Sequence, residues 1–422
     1  MNNSSTAARI RDQRGYARLF TAGIINGICD RFSGIAMLAL VLHLTGSGMA
    51  VGISLGVRVL PYLILSPLGG MLGSKLPRKT IMITTDIIRV PIALIFLWVD
   101  GENRLWLLYA TNFMLAAAEA IYSPVRKSSI PLLSEPGALL KINGLEQLMT
   151  GCVLILGAFA GGVVSYWFGP DMAFIMNAAS FLIAAIVIYG IHFPQSAVDD
   201  NPSPEHKAEN AKAAAFPSLR KSIKTLLAGS LILQIVLVYE LLVPMVNGLD
   251  NVLISVYAIQ EFNAGDVGVG AFYAALGIGL SLSFFAGRFI KRGLLFAALG
   301  GLLVEGLLLT FISMNGSFAA AFMLYILLSL AGGIGNACLD TLVMRETPLP
   351  LQPVVFGFIT AASGTLLGIS MLAAGWLLNI VEPRTLGCLG GAGFVGVALA
   401  LAGYALLRSK KDGIFTVPWK TL

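Results

Sequence analysis

Residues 386–407 read LGCLGGAGFVGVALALAGYALL, twenty-two positions without one charged side chain. At 1.5 Å per residue a helix of that length is about 30 Å long, the thickness of a bilayer's hydrocarbon. No face of it is polar enough for water to wet. Lipid offers the backbone no hydrogen bonds, so such a segment is stable only as a helix that satisfies its own N–H and C=O groups.

Working outward, eleven more stretches of this character are expected at 17–45, 50–73, 80–99, 105–121, 143–168, 173–191, 226–258, 267–289, 294–313, 318–339 and 354–381, making spans 1 to 12 with 386–407 as the last. Over 422 residues, 57% hydrophobic and 12% charged side chains cannot be hidden inside a water-soluble globule. A transmembrane barrel is excluded because the runs are apolar all round, whereas barrel strands alternate over about 10 residues. The reading is an all-α polytopic membrane protein of twelve transmembrane helices.

The first sixteen residues are polar and basic (Arg9, Arg11, Arg14), and span 1 is too long for a cleaved signal sequence, whose apolar region is about 7–15 residues, so it is expected to remain as an anchor. Cys29, Cys152, Cys338 and Cys388 all lie in apolar spans without metal-ligand spacing and read as small packing residues. A net charge of +6 does not call for nucleic acid, because the basic residues sit in short loops. Lys75, Arg78, Lys79, Arg126, Lys127, Lys141, Arg288, Lys291, Arg292 and Arg345 fall on one side, against Arg104 and Arg384 on the other. The excess of positive charge inside predicts that the richer side, with both termini, is cytoplasmic. The expected organisation is a tail at 1–16, a six-helix bundle at 17–194, a polar cytoplasmic linker at 195–224, a second bundle at 225–407 and a tail at 408–422, in a bacterial cytoplasmic membrane and as a monomer.

The bundles resemble one another. A single offset of 213 positions carries Gly144 to Gly357, Gly151 to Gly364, Ala160 to Ala373, Gly162 to Gly375 and Pro170 to Pro383, and brings Arg78 and Lys79 onto Lys291 and Arg292. Internal repeats of this kind mark transporters built from two related halves.

Gly70-Met-Leu-Gly-Ser74-Lys75-Leu-Pro77-Arg78-Lys79, between spans 2 and 3, resembles the loop signature Gly-x-x-x-Asp-Arg-x-Gly-Arg-Lys of the major facilitator superfamily, with Ser74 replacing its acid and Pro77 its glycine. The resemblance extends to the branch holding macrolide efflux proteins and enterobactin-type siderophore exporters through Asp30, Leu44 to Ser47, Arg58 to Pro61, Asp86-Ile-Ile-Arg89, Ser123-Pro-Val-Arg126, Pro131, Asn143-Gly144, Gly161-Gly162, Gly169-Pro170, Phe174, Asn177 to Phe181 and Phe356-Gly357. Val354 departs from it, standing where the branch carries a basic residue. Lysophospholipid transporters share the branch. The resemblance implies two pseudo-symmetric six-helix bundles, a cavity lined by helices 1, 4, 7 and 10, and an alternating-access cycle.

Chemistry inside the membrane is carried by its rare charges, which tend to be functional. Asp30 lies about thirteen residues into span 1, and Arg58 enters from the other face on span 2 to a comparable depth. They read either as a static ion pair or as a titrating carboxylate with its counter-ion. Glu240 on span 7 is the near pseudo-symmetric counterpart of Asp30 and a second candidate for proton coupling or substrate contact, while Arg31 points about 100° away toward another helix. Asp86, Arg89, Glu119, Arg126 and Glu146, with Arg78 and Lys79, are expected to form an ion-pair cluster near the cytoplasmic ends, either fastening the first bundle or gating it. Asp250 and Asp340 are placed near span ends, with solvation as the default, and Glu305 lies mid-span without an assigned role. Tyr239, Tyr257, Phe272 and Tyr273 are candidates for an aromatic wall, and Gly157, Gly161, Gly277 and Gly279 for close helix packing.

No Gly-x-x-x-x-Gly-Lys-Ser/Thr loop and no His-Glu-x-x-His motif is present, and His43, His192 and His206 sit at span ends or in the linker. An enzyme is therefore not expected, nor a cofactor; a proton gradient is the expected energy source. The sequence reads as a secondary-active, proton-coupled exporter of a bulky amphipathic small molecule, a drug such as a macrolide or a siderophore. A lysophospholipid transporter of the same fold and a non-transporting scaffold or receptor are the alternatives. The orientation is open to direct test: a cysteine placed near Asp200 should stay unlabelled by an impermeant thiol reagent in intact cells and react once the membrane is opened, and labelling of intact cells would invert the topology.

Overall fold

The structure, a computed structural model, describes residues 2–46, 48–193 and 225–411. The linker expected at 195–224 and residues 412–422 lie outside them, as do the side chains of residues 1–13, Gly161 and Gly162. Among the described residues there is no strand, and twelve helices are long and apolar enough to cross a membrane: α1 (Arg14–Thr45), α2 (Gly52–Lys75), α3 (Arg78–Trp98), α4 (Glu102–Leu133), α5 (Leu139–Gly157), α6 (Trp167–Tyr189), α7 (Leu231–Glu261), α8 (Val267–Gly287), α9 (Leu294–Met314), α10 (Phe318–Glu346), α11 (Gln352–Leu377) and α12 (Pro383–Arg408). The chain is a multi-pass membrane protein.

Every expected span meets a helix, but α4 and α10 run well past their expected ends. The expected ends, at 121 and 339, fall short of Arg126 on α4 and of Asp340 and Arg345 on α10. Those charges sit on continuing helix, two of them paired with neighbouring helices, so they do not mark a water boundary. From Leu139 to Tyr189 the backbone stays helical except at Gly169, near the start of α6, whose φ of +78° only glycine adopts freely, and Pro170 then opens the regular part of that helix.

α1 packs on the helical stretch 139–189 that comprises α5 and α6, α2 on α4, and α3 on α4 and, through Phe96 on Phe174 and Arg89 on Phe181, on α6; in the second half α7 packs on α11 and α12, α8 on α10, and α9 on α10 and α12. The halves meet mainly along two seams, α2 against α11 and α5 against α8. Both seams rest on glycine. A Cβ at Gly70 would stand 2.9 Å from the Val354 Cα, and one at Gly73 would meet Val125 and Pro353. On the other seam a Cβ at Gly151 would crowd Ser281, and one at Gly277 would meet Ile155. The 213-residue repeat explains why: Gly144 and Gly151 face α8, and their mates Gly357 and Gly364 face Ser66 and Tyr62 of α2. One register builds both interfaces.

Odd-numbered helices start, and even-numbered helices finish, at the end rich in Lys and Arg, here termed the basic end. At the opposite end Trp98, Trp106, Trp167 and Trp376 all expose their rings, as expected of a belt at the membrane interface. Gly277→Val should lower the thermal stability of the detergent-solubilised protein by about 1–3 kcal/mol through overpacking of the seam. Gly270→Val, on the same helix with nothing within 4 Å of its added Cβ, should leave it unchanged; equal unfolding temperatures for the two variants would remove glycine from the account of the seam.

Candidate functional site: a polar network facing the gap between the halves

Asp30 sits halfway along α1, and its Oδ2 accepts from the Arg58 Nη2 of α2 at 2.5 Å. Although mid-membrane, the two side chains are 33% and 36% exposed. The exposure is toward the space between the halves, because Val59 and Tyr62 beside Arg58 face Gly368 and Gly364 of α11. One turn back along α1, Asn26 donates to Asp86 at 3.3 Å, and Asp86 lies 3.5 Å from Arg89 on the same helix. Arg89 continues to Glu119 of α4 at 2.5 Å, its guanidinium held beneath the rings of Tyr122 and Phe181. Tyr62 lies within electrostatic reach of both Arg58 and Glu119.

These contacts join α1, α2, α3 and α4 into one network of three acids and two guanidinium groups. With every group ionised these five groups carry one surplus negative charge, with Asp30 and Glu119 as the partly exposed acids, while Arg31, next to Asp30 on α1, stands outside their ion pairs with its guanidinium 5.8 Å from the Tyr273 ring. Hydrocarbon does not tolerate an unbalanced charge cheaply, so the network suits a mobile positive partner, a proton or a cationic group on a ligand.

The single ion-pair cluster expected near the chain ends is divided. Arg126 grips Glu146 with bonds of 2.7 and 3.2 Å, and the Tyr16 hydroxyl donates to the same carboxylate at 3.0 Å, fastening α1, α4 and α5 within the first half. Lys79 also stays in that half, donating to the Ile191 carbonyl at 2.9 Å over the Tyr189 ring. Arg78 does not: it donates to the Ser128 carbonyl and, across to the second half, to that of Leu349 at 2.7 Å. Ser74, where the loop signature has an acid, turns its hydroxyl back to the Met71 carbonyl.

Sequence reasoning missed the ion pair that crosses the halves at the basic end. Lys127 of α4 meets Asp340 of α10 at 3.1 and 3.2 Å, with Asn143 donating to Thr341 at 2.9 Å beside it. Asp340 is therefore paired and not merely solvated. The signal was available, since the two residues are 213 positions apart, and repeat mates near a pseudo-twofold axis face one another. Glu240 lies within electrostatic reach of this pair.

Three of the four candidate wall aromatics are core residues. Tyr239, Tyr257 and Phe272 are buried on the faces of α7 and α8 turned into the second half; Tyr257 donates to Ser313 at 2.7 Å and Phe272 stacks on Phe318. Tyr273 alone reaches across the gap, 5.8 Å from the Arg31 guanidinium. Asp250, expected to be solvated, is buried and accepts from Tyr325 at 3.4 Å, while Glu305 is buried against Gly332; neither makes an ion pair among the described residues. No grouping there could hold a metal ion, and all four cysteines are free thiols.

The sequence matches the Major Facilitator Superfamily over residues 19–370. The chain belongs to this superfamily. It is 23% identical over 376 residues, 87% of each chain, to the uncharacterized MFS-type transporter YfiS of Bacillus subtilis. It is 23% identical to the putative bacilysin exporter BacE of Bacillus amyloliquefaciens, over 79% of this chain and 80% of that one. Macrolide efflux protein A of Streptococcus pyogenes is 25% identical over 39% of this chain and 42% of its own. The fold superposes on the major facilitator transporter FucP in its outward conformation with a TM-score of 0.74, at 14% identity over 92% of this chain and 98% of that one. The protein is thus a transporter of the major facilitator family.

Lys127 and Asp340 are 39% and 18% exposed, so breaking their pair should cost only about 1 kcal/mol. Lys127→Glu should speed alkylation of a cysteine placed at Val354, buried in the seam, by roughly fivefold, and Lys127→Asp with Asp340→Lys should restore the slow rate. An unchanged rate in the single variant would leave the pair without a role in closing the basic end.

Proposed function

We propose that this transporter is a monomeric secondary-active exporter in the bacterial cytoplasmic membrane, with both termini cytoplasmic. Its cargo is a bulky amphipathic small molecule such as a macrolide or a siderophore, and its driving force is proton antiport without a cofactor. The observation that carries the reading is the surplus-negative network at Asp30, Arg58 and Glu119, which faces the gap while the basic end is shut. The charge count supports reading that shut end as the cytoplasmic one, and on that reading the site faces outward. Efflux proteins among the relatives support the direction.

Coupling follows from competition for one negative site. Facing outward, the network takes a proton from the external side and releases a cationic or polar cargo. Facing inward, the proton leaves to the cytoplasm and the freed carboxylate binds cargo again. Asp30 is the carrier, with Arg58 as its counter-ion, and alternating access moves the halves about the site. Glu240, beside the Lys127 and Asp340 link, is placed to sense whether that link is closed.

Asp30→Asn keeps the shape and the hydrogen bond from Arg58 but cannot titrate. In proteoliposomes at matched protein content it should lose proton-gradient-driven export of a macrolide or siderophore probe while retaining gradient-free exchange. Driven rates equal to wild type would return Asp30 to a static ion-pair role. Movement of lysophospholipid, and of neither probe, would reassign the cargo.

A further inference from the structure

At the basic end a cavity of about 600 Å³ opens between the halves, within the roughly 300–1,000 Å³ range of small-ligand sites. Lys141 of α5, in the first half, faces Arg288 at the end of α8, Lys291 in the turn to α9 and Arg345 in the last turn of α10. No acid lines the cavity, and none of the four cations makes an ion pair among the described residues. Phe284 forms an apolar wall and holds the Arg288 guanidinium 4.7 Å above its ring, while the close approach of Gly144 to Phe284 brings the two sides together.

Four like charges gathered from two halves oppose the closure that gathers them. Elsewhere at this end Lys127 is neutralised by Asp340 and Arg78 is taken up by the Ser128 and Leu349 carbonyls, whereas these four cations have neither an acid nor a carbonyl partner among the described residues, an arrangement that suits a mobile anion. Its position at the ends of α5, α8 and α10 is the depth of lipid phosphates, and an apolar wall beside cations matches an acyl chain beside a phosphate.

We propose that this cavity binds the phosphate headgroup of an anionic phospholipid, and that the bound lipid clamps the basic end shut. The site and its ligand class do not depend on the cargo or on the direction of transport. Lipid of this kind would bias the cycle toward the state seen here, because opening the basic end takes Lys141 away from the other three cations.

The test uses the full chain in nanodiscs of phosphatidylcholine with 0 or 30% (about one lipid in three, a typical anionic fraction) phosphatidylglycerol, with spin labels at Leu76 and Leu349, both exposed on opposite halves at this end. Phosphatidylglycerol should raise the population at short distance. Detergent-solubilised protein should bind it in native mass spectrometry, and Arg288→Ala with Lys291→Ala should weaken that binding by about twenty-five-fold, at roughly fivefold per cation. Arg292→Ala, one position outside the cavity, should leave both readouts as in wild type. Equal binding by wild type and the double variant, or an equal loss in Arg292→Ala, overturns the site. Full closure by glycerol phosphate in solution, without anionic lipid, would make it a soluble-anion site and overturn the lipid assignment. Asp30→Asn should respond to lipid as wild type does, which separates failure here from failure of the export mechanism.

Discussion

A charge in hydrocarbon must find its partner within a few ångströms, and this constraint organises the protein more than any apolar contact does. Lipid is as apolar as leucine, so burying leucine between helices gains little that lipid does not already give. Polar groups and close packing must hold the helices together. The first half does this with Arg126 on Glu146, Arg89 on Glu119, and Arg58 on Asp30, each linking a different pair of helices. The seams between halves use glycine backbones at van der Waals distance, backed by only a few polar links.

That division of labour separates the parts that stay fixed from the parts that move. Removing one partner of a buried pair costs about 3–5 kcal/mol, so Arg126 and Glu146, bidentate and capped by Tyr16, do not separate within a cycle. A half-exposed pair is worth about 1 kcal/mol. Lys127 with Asp340 is of the second kind, and it crosses the halves. Arg78 reaches a carbonyl of the second half while neighbouring Lys79 stays in the first, so only one of these two adjacent cations of the loop signature is part of the closing contact. Strong links inside rigid bodies and weak links between them are what a rocking motion requires.

The architecture was legible because the lipid constraint acts on sequence directly: apolar runs, their number, and the one-sided distribution of Lys and Arg. Individual charges were less legible. Sequence position gives the depth of Asp340 and Asp250 but not which helix they face, so it does not reveal their partners Lys127 and Tyr325, and it leaves Tyr239, Tyr257 and Phe272 as wall candidates although their helices turn them inward. The pairing of Asp30 with Arg58 was readable because both reach mid-membrane from opposite ends, where an unmatched charge has nowhere else to go. The same logic with the repeat offset would have paired Lys127 with Asp340.

The repeat has kept its geometry and lost its chemistry. Glycines recur at one offset because both seams must bring backbones into contact, and a side chain at either would hold the halves apart. Outside the loop pair Arg78 and Lys79, which recurs as Lys291 and Arg292, the charges of the site and of the closing link do not recur: offset by 213, Asp30 becomes Val243, Arg58 becomes Ala271, and Lys127 becomes an acid, Asp340. The ion pairs of the gap-facing network are confined to the first half, while the second carries Asp250 and Glu305 with no cation beside them among the described residues. On the proposed function, a single central site shared by two halves needs only one set of charges to bind and release a positive partner. A duplicate set would add desolvation cost without adding a second cargo path, so symmetry survives where it shapes the interface and lapses where it would burden the site.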